Sequence, residues 1–390
     1  MQIGRVTRNA VFQSCMLLFF CVALNADWKA SSLFWWGSVG LLSIGYVFRN
    51  DGGIVVDFSK FDAWWLGFIA VTSFSIVYAL STAAVVGSLK TFVIMFAGTY
   101  LIGKTLNSKN DVEAVMAMLL IALLCVVAYI YLKVDLNSFV LTRVGEADTG
   151  RWNANDVGIM TTIGIILAMY FFRERHGTMT RMILLLCIVA FALLDVITAS
   201  RKAIIMLLLG ICASILLLNP RKMIRNILWV VIILCVSYYA ITEIPALYDL
   251  IGWRMEGMLA GISGEAEADS STVYRQKMLD AAFQVFRENP IFGCGMDNFR
   301  YYNPIRVTYA HNNFAEIAAD LGCIGLLSYY WIYVYVIIDY FTRVKKDALL
   351  TTLFVFVGVY LISHYAMVTT TDMIQNTLLC CYLAYSQISR

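Results

Sequence analysis

The chain is a succession of apolar runs, each about as long as a membrane span. A helix needs about 20 apolar residues to cross the hydrocarbon core of a bilayer. Runs of that kind stand near 10–26, 32–48, 63–80, 88–104, 113–133, 155–172, 181–198, 202–218, 224–242, 314–338, 348–368 and 372–388. Backbone polar groups in lipid must pair within their own segment, which leaves the helix as the spanning element here. The composition agrees: 61% of residues are hydrophobic, 14% are charged and only four are proline. A soluble domain lies nearer half apolar and a quarter charged. The expected fold is all-α, a polytopic integral membrane protein of about 12 transmembrane helices, with residues 1–390 as a single membrane domain.

Lys and Arg set the orientation of such a chain. With both termini cytoplasmic, the inner connections collect Arg49 and Lys60, Lys104 and Lys109, then Arg173, Arg175 and Arg181. Arg221, Lys222 and Arg225 follow, and then Arg343, Lys345 and Lys346. Two outer connections depart from this pattern. One, 134–154, carries Arg143 and Arg151; the other is the tight corner Ala199-Ser-Arg-Lys202. Snorkelling to the interface accounts for Lys133 and Arg143. Arg151 and Arg201 sit at span ends beneath an external interval, where intramembrane charge points to function. Arg5 and Arg8 precede an apolar run with no small-residue cleavage site, so that run reads as a retained first span. Trp35, Trp36, Trp64, Trp65, Tyr329, Tyr330 and Trp331 lie near span ends and read as an interfacial aromatic belt.

The one long polar interval runs from Glu243 to Asp320, between the ninth and tenth spans, and the charge pattern puts it outside. Its loop subdomain covers 243–313. A helix is expected from Ser270 and Ser271, with a stripe of Tyr274, Met278, Ala281, Ala282 and Val285 against the membrane domain. Pro290 ends it, and Gly293-Cys294-Gly295 turns the chain. The interval holds Arg254, Arg275, Lys277, Arg287, Arg300 and Arg306.

Three sets of residues in and around it can do chemistry. His311, one of three histidines, stands at the outer mouth beside Asn312 and Asn313. It can accept a proton from a hydroxyl near neutral pH, or simply cap the tenth span. Arg201 and Arg275, with Arg151 and Arg300 behind them, suit a lipid diphosphate because guanidinium stays charged and binds phosphate in bidentate fashion. Glu316 and Asp320, one helical turn apart, serve either function or an internal ion pair. His364, inside the eleventh span, reads as a partner for a neighbouring helix. Cys294 and Cys323 are the two of ten cysteines at or near the interval, and nothing in their spacing demands a disulfide. No metal-ligand spacing occurs in an outer position, so no cofactor or metal is expected. No basic, aromatic-interleaved surface suggests nucleic acid. No Gly-rich phosphate loop follows a strand, which disfavours a nucleotide-sugar donor. A transporter of lipid-linked glycan would show related halves and Gly/Pro-broken spans, and neither is seen.

Several short motifs occur in a particular order: Arg151-Trp-Asn-Ala-Asn155, Thr198-Ala-Ser-Arg-Lys-Ala203, Ser271-Thr-Val-Tyr-Arg275, Asn289-Pro-Ile-Phe-Gly-Cys-Gly295, His311-Asn-Asn-Phe-Ala-Glu316 and Leu321-Gly-Cys-Ile-Gly325. In that order, with one large late external loop, the chain resembles the O-antigen ligase and polysaccharide polymerase superfamily over about 150–335. The resemblance implies an integral-membrane glycosyltransferase of the GT-C type in the bacterial inner membrane, its site facing the periplasm or exterior. It implies transfer of a glycan from an undecaprenyl diphosphate carrier to an acceptor, with inversion and without metal. Arg201 and Arg275, with Arg151, would hold the diphosphate. His311 would be the catalytic base, and Arg300, Glu316, Asn312 and Tyr274 would bind acceptor or support the site. A polymerase of O-antigen or capsule uses a lipid-linked repeat unit as acceptor; a ligase uses lipid A-core or a protein. The polymerase is the reading preferred here. The family also implies a chain-length regulator as a partner.

Overall fold

The computed structural model describes residues 2–25, 32–53, 57–133, 154–218, 220–257, 270–304 and 308–390. Among these residues the regular structure is entirely helical. The principal helices are α1 (Gln2–Asn25), α2 (Ser32–Arg49), α3 (Lys60–Phe74), α4 (Thr82–Gly103), α5 (Lys109–Lys133), α6 (Ala154–Glu174) and α7 (Thr178–Thr198). They continue with α8 (Arg201–Leu218), α9 (Met223–Glu243), α10 (Ser270–Glu288), α11 (Asn313–Thr342), α12 (Ala348–Ser363) and α13 (Met373–Ile388). Each expected span falls on a helix. Eight described helices are long and apolar enough to cross a membrane: α1, α4, α5, α6, α7, α8, α9 and α11. The other four spans fall on helices of 15 to 18 residues, α2, α3, α12 and α13.

The chain divides into two compact units. One comprises Met1–Val115, Ser270–Val344 and Tyr360–Arg390; the other comprises Met116–Asp269 and Lys345–Val359.

In the first unit, ion pairs tie helix ends together on one side. Lys104 Nζ lies 2.7 Å from Asp62, with both side chains almost wholly buried. Arg49 meets Asp111 at 2.6 Å, and Asp339 takes both Arg343 at 2.9 Å and Arg390 at 3.0 Å. Asp62 also closes a capping box with Ser59 at the start of α3. The buried Lys104–Asp62 pair costs desolvation that its attraction barely repays. The basic residues of these ion pairs are those that the charge pattern assigns to the cytoplasmic side. The other end of the unit gathers the Ser75–Ser81 turn, the loop after α10, the start of α11 and the connection 364–372.

The aromatic residues correct one expectation. Trp35, Trp64, Trp65 and Tyr329 are fully buried, while Trp36 and Trp331 are exposed. Trp64, Trp65, Phe68, Tyr329 and Tyr333 form one packed cluster with ring centroids 5.0 to 6.5 Å apart. The Trp64 indole donates to the Tyr329 carbonyl at 2.8 Å. An indole with its N–H satisfied is at home in a core. Position along a span does not reveal which way a ring faces, so these read as belt residues in sequence and are core in three dimensions.

In the second unit α6 is the buried element, packed by α7 and α8. Gly164 lies under the Phe191 ring, and Gly158 lies so close to Ala203 that a Cβ on it would sit 2.5 Å from the Ala203 Cβ. By contrast α9 has a single buried residue, Asn226. This is the surface an apolar helix presents when it faces lipid.

Candidate functional site

The end of the first unit that the charge pattern places outside is built around a crossing of two backbones. α10 stops at Glu288 because Pro290 follows and cannot continue it. The stripe expected on α10 does pack inward: Met278, Ala281, Ala282 and Val285 are buried. Ala281, Ala282 and Val285 share a core with Cys294, Phe299, Ala310, Ala315 and Ala319. The loop then turns at Gly293 and Gly295, with φ of 70° and 106°. It runs against a break in α11 at Gly322, whose φ is 62° and ψ −158°. The two motif glycines face each other's chains. A Cβ on Gly293 would lie 2.3 Å from the Asp320 carbonyl carbon, and one on Gly322 would lie 2.4 Å from that of Ile291.

The break frees backbone groups that the loop takes up. Cys294 N–H donates to Ala319 O at 2.9 Å and Gly295 N–H to Asp320 O at 2.7 Å. Cys323 N–H donates to Pro290 O at 2.9 Å. At 30 residues and 1.5 Å per residue, α11 is about 45 Å long, more than the hydrocarbon core of about 30 Å. The part after Gly322 suffices to span. The turns before it, with Glu316 and Asp320, belong to the site.

Asp320 is fully buried and holds the loop. Its Oδ2 accepts the Asp297 N–H at 2.7 Å, and its Oδ1 accepts those of Asn298 at 3.1 Å and Phe299 at 2.8 Å. It thus caps the short Phe299–Tyr302 helix from a distance in sequence. Arg300 pairs with Asp297. Asn298 bridges to the Ser75–Ser81 turn, accepting the Ser81 N–H at 2.7 Å and donating to Ser81 O at 3.2 Å. Cys294 and Cys323 are both free thiols. Burial pushes the Cys294 thiol well above its ordinary pKa, and the nearby Asp320 carboxylate adds to this.

His311 stands just before α11 with φ of 56°, a left-handed conformation uncommon for a residue with a side chain. Anchors on both sides hold it. Before it, the Ala310 N–H donates to Glu316 Oε2 at 2.5 Å. After it, Asn312 caps α11, accepting the Ala315 N–H at 2.9 Å and donating to Tyr365 O at 3.0 Å. Asn313 N–H donates to His364 O at 2.7 Å, its Oδ1 accepts from Thr369 N–H at 3.1 Å, and its Nδ2 donates to Tyr330 Oη at 2.8 Å. The imidazole itself is half-buried and packs on Tyr309. His364 behaves as expected of a histidine within the bundle. Its two ring nitrogens meet Tyr330 Oη at 3.3 Å and Gln375 Oε1 at 3.1 Å, and it is fully buried.

Arg275 and Tyr274 lie early on α10 and are both half-buried. The Tyr274 hydroxyl is buried with no hydrogen-bond partner among the described residues. Arg151 and Arg306 lie outside the described residues.

Arg201 belongs to the second unit. Its corner is made by Ala199 in the left-handed region, φ 49° and ψ 34°. Ser200 Oγ then accepts the Ala203 N–H at 3.4 Å and donates to Asn155 Oδ1 at 3.0 Å. This starts α8 at Arg201. The Arg201 guanidinium donates to Arg254 O at 2.8 Å, and that of Arg254 donates to Ala199 O at 3.4 Å. The two arginines thus clasp one corner, beside the positive end of a helix dipole.

Residues 186–330 match the family model described as O-antigen ligase. The match supports the O-antigen ligase and polymerase superfamily. The matched segment contains the Arg201 corner, Arg254, α10, the glycine crossing, Tyr309, His311, Glu316 and Asp320. No curated protein matches the chain.

The structure brings His311, Asn312 and Glu316 together through Ala310, and joins Arg300 to Asp320 through Asp297. His311 and Arg275 fall in the first unit and Arg201 in the second. Sequence reasoning did not single out Arg254, which follows an irregular stretch with no periodicity to place it. It also missed Tyr309, whose ring packs on the His311 imidazole.

Proposed function

We propose that this protein transfers a glycan from an undecaprenyl diphosphate carrier to a sugar hydroxyl at the outer face of the bacterial inner membrane. The reading preferred is polymerisation of an O-antigen or capsule, with a lipid-linked repeat unit as acceptor. The observation that carries it is the fixation of His311: a strained backbone is retained where the surrounding bonds over-determine it, and here bonds at Ala310, Asn312 and Asn313 hold a part-exposed imidazole at the head of α11.

In the proposed reaction His311 takes the proton of the acceptor hydroxyl as its oxygen attacks the anomeric carbon. The bond from that carbon to the diphosphate oxygen breaks on the opposite side, so the configuration inverts. The electron pair leaves with the diphosphate, whose charge Arg275 and Arg201 stabilise, with Arg151 in support. No metal takes part. Glu316 and Asn312 set the position of His311, while Arg300 and Tyr274 border the acceptor. A chain-length regulator is a further partner in this reading.

A second reading, ligation to lipid A-core or protein, is favoured by the description of the matching family as O-antigen ligase. Purified protein given lipid-linked repeat units alone separates the two. A ladder of products supports the polymerase, and product only with a separate acceptor supports the ligase. His311→Asn keeps a residue that tolerates the left-handed backbone and should abolish transfer. Near-normal turnover in that variant removes the base. Arg201→Ala and Arg275→Ala should each weaken carrier binding, and unchanged affinity argues against the clamp.

A further inference from the structure

We propose that Tyr309 is the platform on which the acceptor sugar rests while His311 takes its proton. The inference rests on the reading of His311 as the base. The two ring centroids are 4.2 Å apart, with the rings inclined at 51°. They flank Ala310, whose side chain is buried and whose N–H is bound by Glu316 at 2.5 Å. On the other side of Tyr309, the Thr308 carbonyl accepts from Asn303 Nδ2 at 3.4 Å. Tyr309 is therefore held at both of its neighbours. Ala310, Asn312 and Asn313 are buried, yet Tyr309 itself is 40% exposed.

Reach decides the assignment. A general base must come within about 2.6–3.2 Å of the oxygen it deprotonates. A sugar ring bonded to that oxygen then lies within one ring's width of the imidazole, beside the part-exposed Tyr309. The aromatic face is the negative part of its quadrupole and attracts the polarised C–H groups on the apolar side of a pyranose. A tyrosine gives this area at a small entropic cost, having two χ angles. Tyr309 would thus select a pyranose acceptor and orient its hydroxyl, whether the sugar belongs to a lipid-linked repeat unit or to lipid A-core.

The test uses full-length protein in detergent, with the acceptor titrated at saturating donor and each of those two acceptors tried. Tyr309→Ala should raise the acceptor KM about tenfold, equivalent to ~1.4 kcal/mol, with a smaller change in kcat. Binding of sugar-free undecaprenyl diphosphate should match wild type. Tyr309→Phe and Tyr309→Trp should keep the acceptor KM within about twofold of wild type, because the ring is what binds. A wild-type acceptor KM in Tyr309→Ala overturns the platform, as does a Phe variant as impaired as Ala. His311→Asn is assayed alongside. Loss of transfer there with an unmoved KM at Tyr309 sinks only the platform, whereas retained transfer there sinks the base and the platform together.

Discussion

Asp320 offers the sharpest test of how the site is held. Its two carboxylate oxygens accept three backbone N–H groups, those of Asp297, Asn298 and Phe299, and the residue is fully buried. Asp320→Ala leaves all three donors without a partner. A buried unsatisfied donor costs about 1–3 kcal/mol, and the loop can recover part of that by opening to water, so the expected loss is about 3–6 kcal/mol. Asp320→Asn is intermediate. Its one oxygen can still serve Asn298 and Phe299, but its NH2 then faces the Asp297 N–H, donor against donor. That variant should lose about 2–3 kcal/mol, one unsatisfied donor plus the repulsion. The assay is thermal unfolding of detergent-solubilised protein, with limited proteolysis of the 289–303 loop. The midpoint should fall in the order wild type, Asn, Ala, and the loop should be cut earlier in the same order. An Ala variant with wild-type midpoint and cleavage refutes the argument. If it also fails to transfer glycan, Asp320 acts in the chemistry and not as a brace.

Two further outcomes follow from the same crossing. Gly322→Ala and Gly293→Ala each press a methyl group to 2.4 or 2.3 Å of opposing backbone from a conformation that itself costs about 1–3 kcal/mol. Both should collapse the yield of monodisperse protein, while Gly37→Ala, with nothing within 4 Å, should not; normal elution of either crossing variant contradicts the packing. Cys294 is buried with its thiol pKa raised, so at pH 7 to 9 it stays protonated and enclosed. Mass spectrometry after alkylation should find it unmodified in the folded protein and modified once unfolded, and rapid labelling of the native state would show that the loop is open.

Much of this was legible in the sequence. The apolar period placed the helices, because a span must satisfy its own backbone and its length is set by the bilayer. Pro290 and the paired glycines announced the stop and turn after α10, since they restrict or release φ whatever surrounds them. The inward stripe of α10 followed from helical spacing at Met278, Ala281, Ala282 and Val285. The roles of polar residues were less legible. Glu316 and Asp320 read alike as acids one turn apart, yet one fixes the segment before His311 and the other gathers three N–H groups of a distant loop. Of the tryptophans at span ends that read as a belt, Trp35, Trp64 and Trp65 proved to be core, while Trp36 and Trp331 are exposed.

The sequence by itself determined that the chain is helical and apolar, in which stretches its helices fall, and which motifs stand in which order. These are local properties, set by each residue's own side chain and by the spacing of its neighbours. Only the tertiary structure decided that Gly293 and Gly322 exist for each other, that Arg254 shares the Arg201 corner, and that Tyr309 lies on His311. Each of those depends on groups distant in sequence or on a backbone bent by distant bonds. A hydrogen bond or a van der Waals contact acts over a few ångströms of space, and the order of residues along a chain does not record such distances.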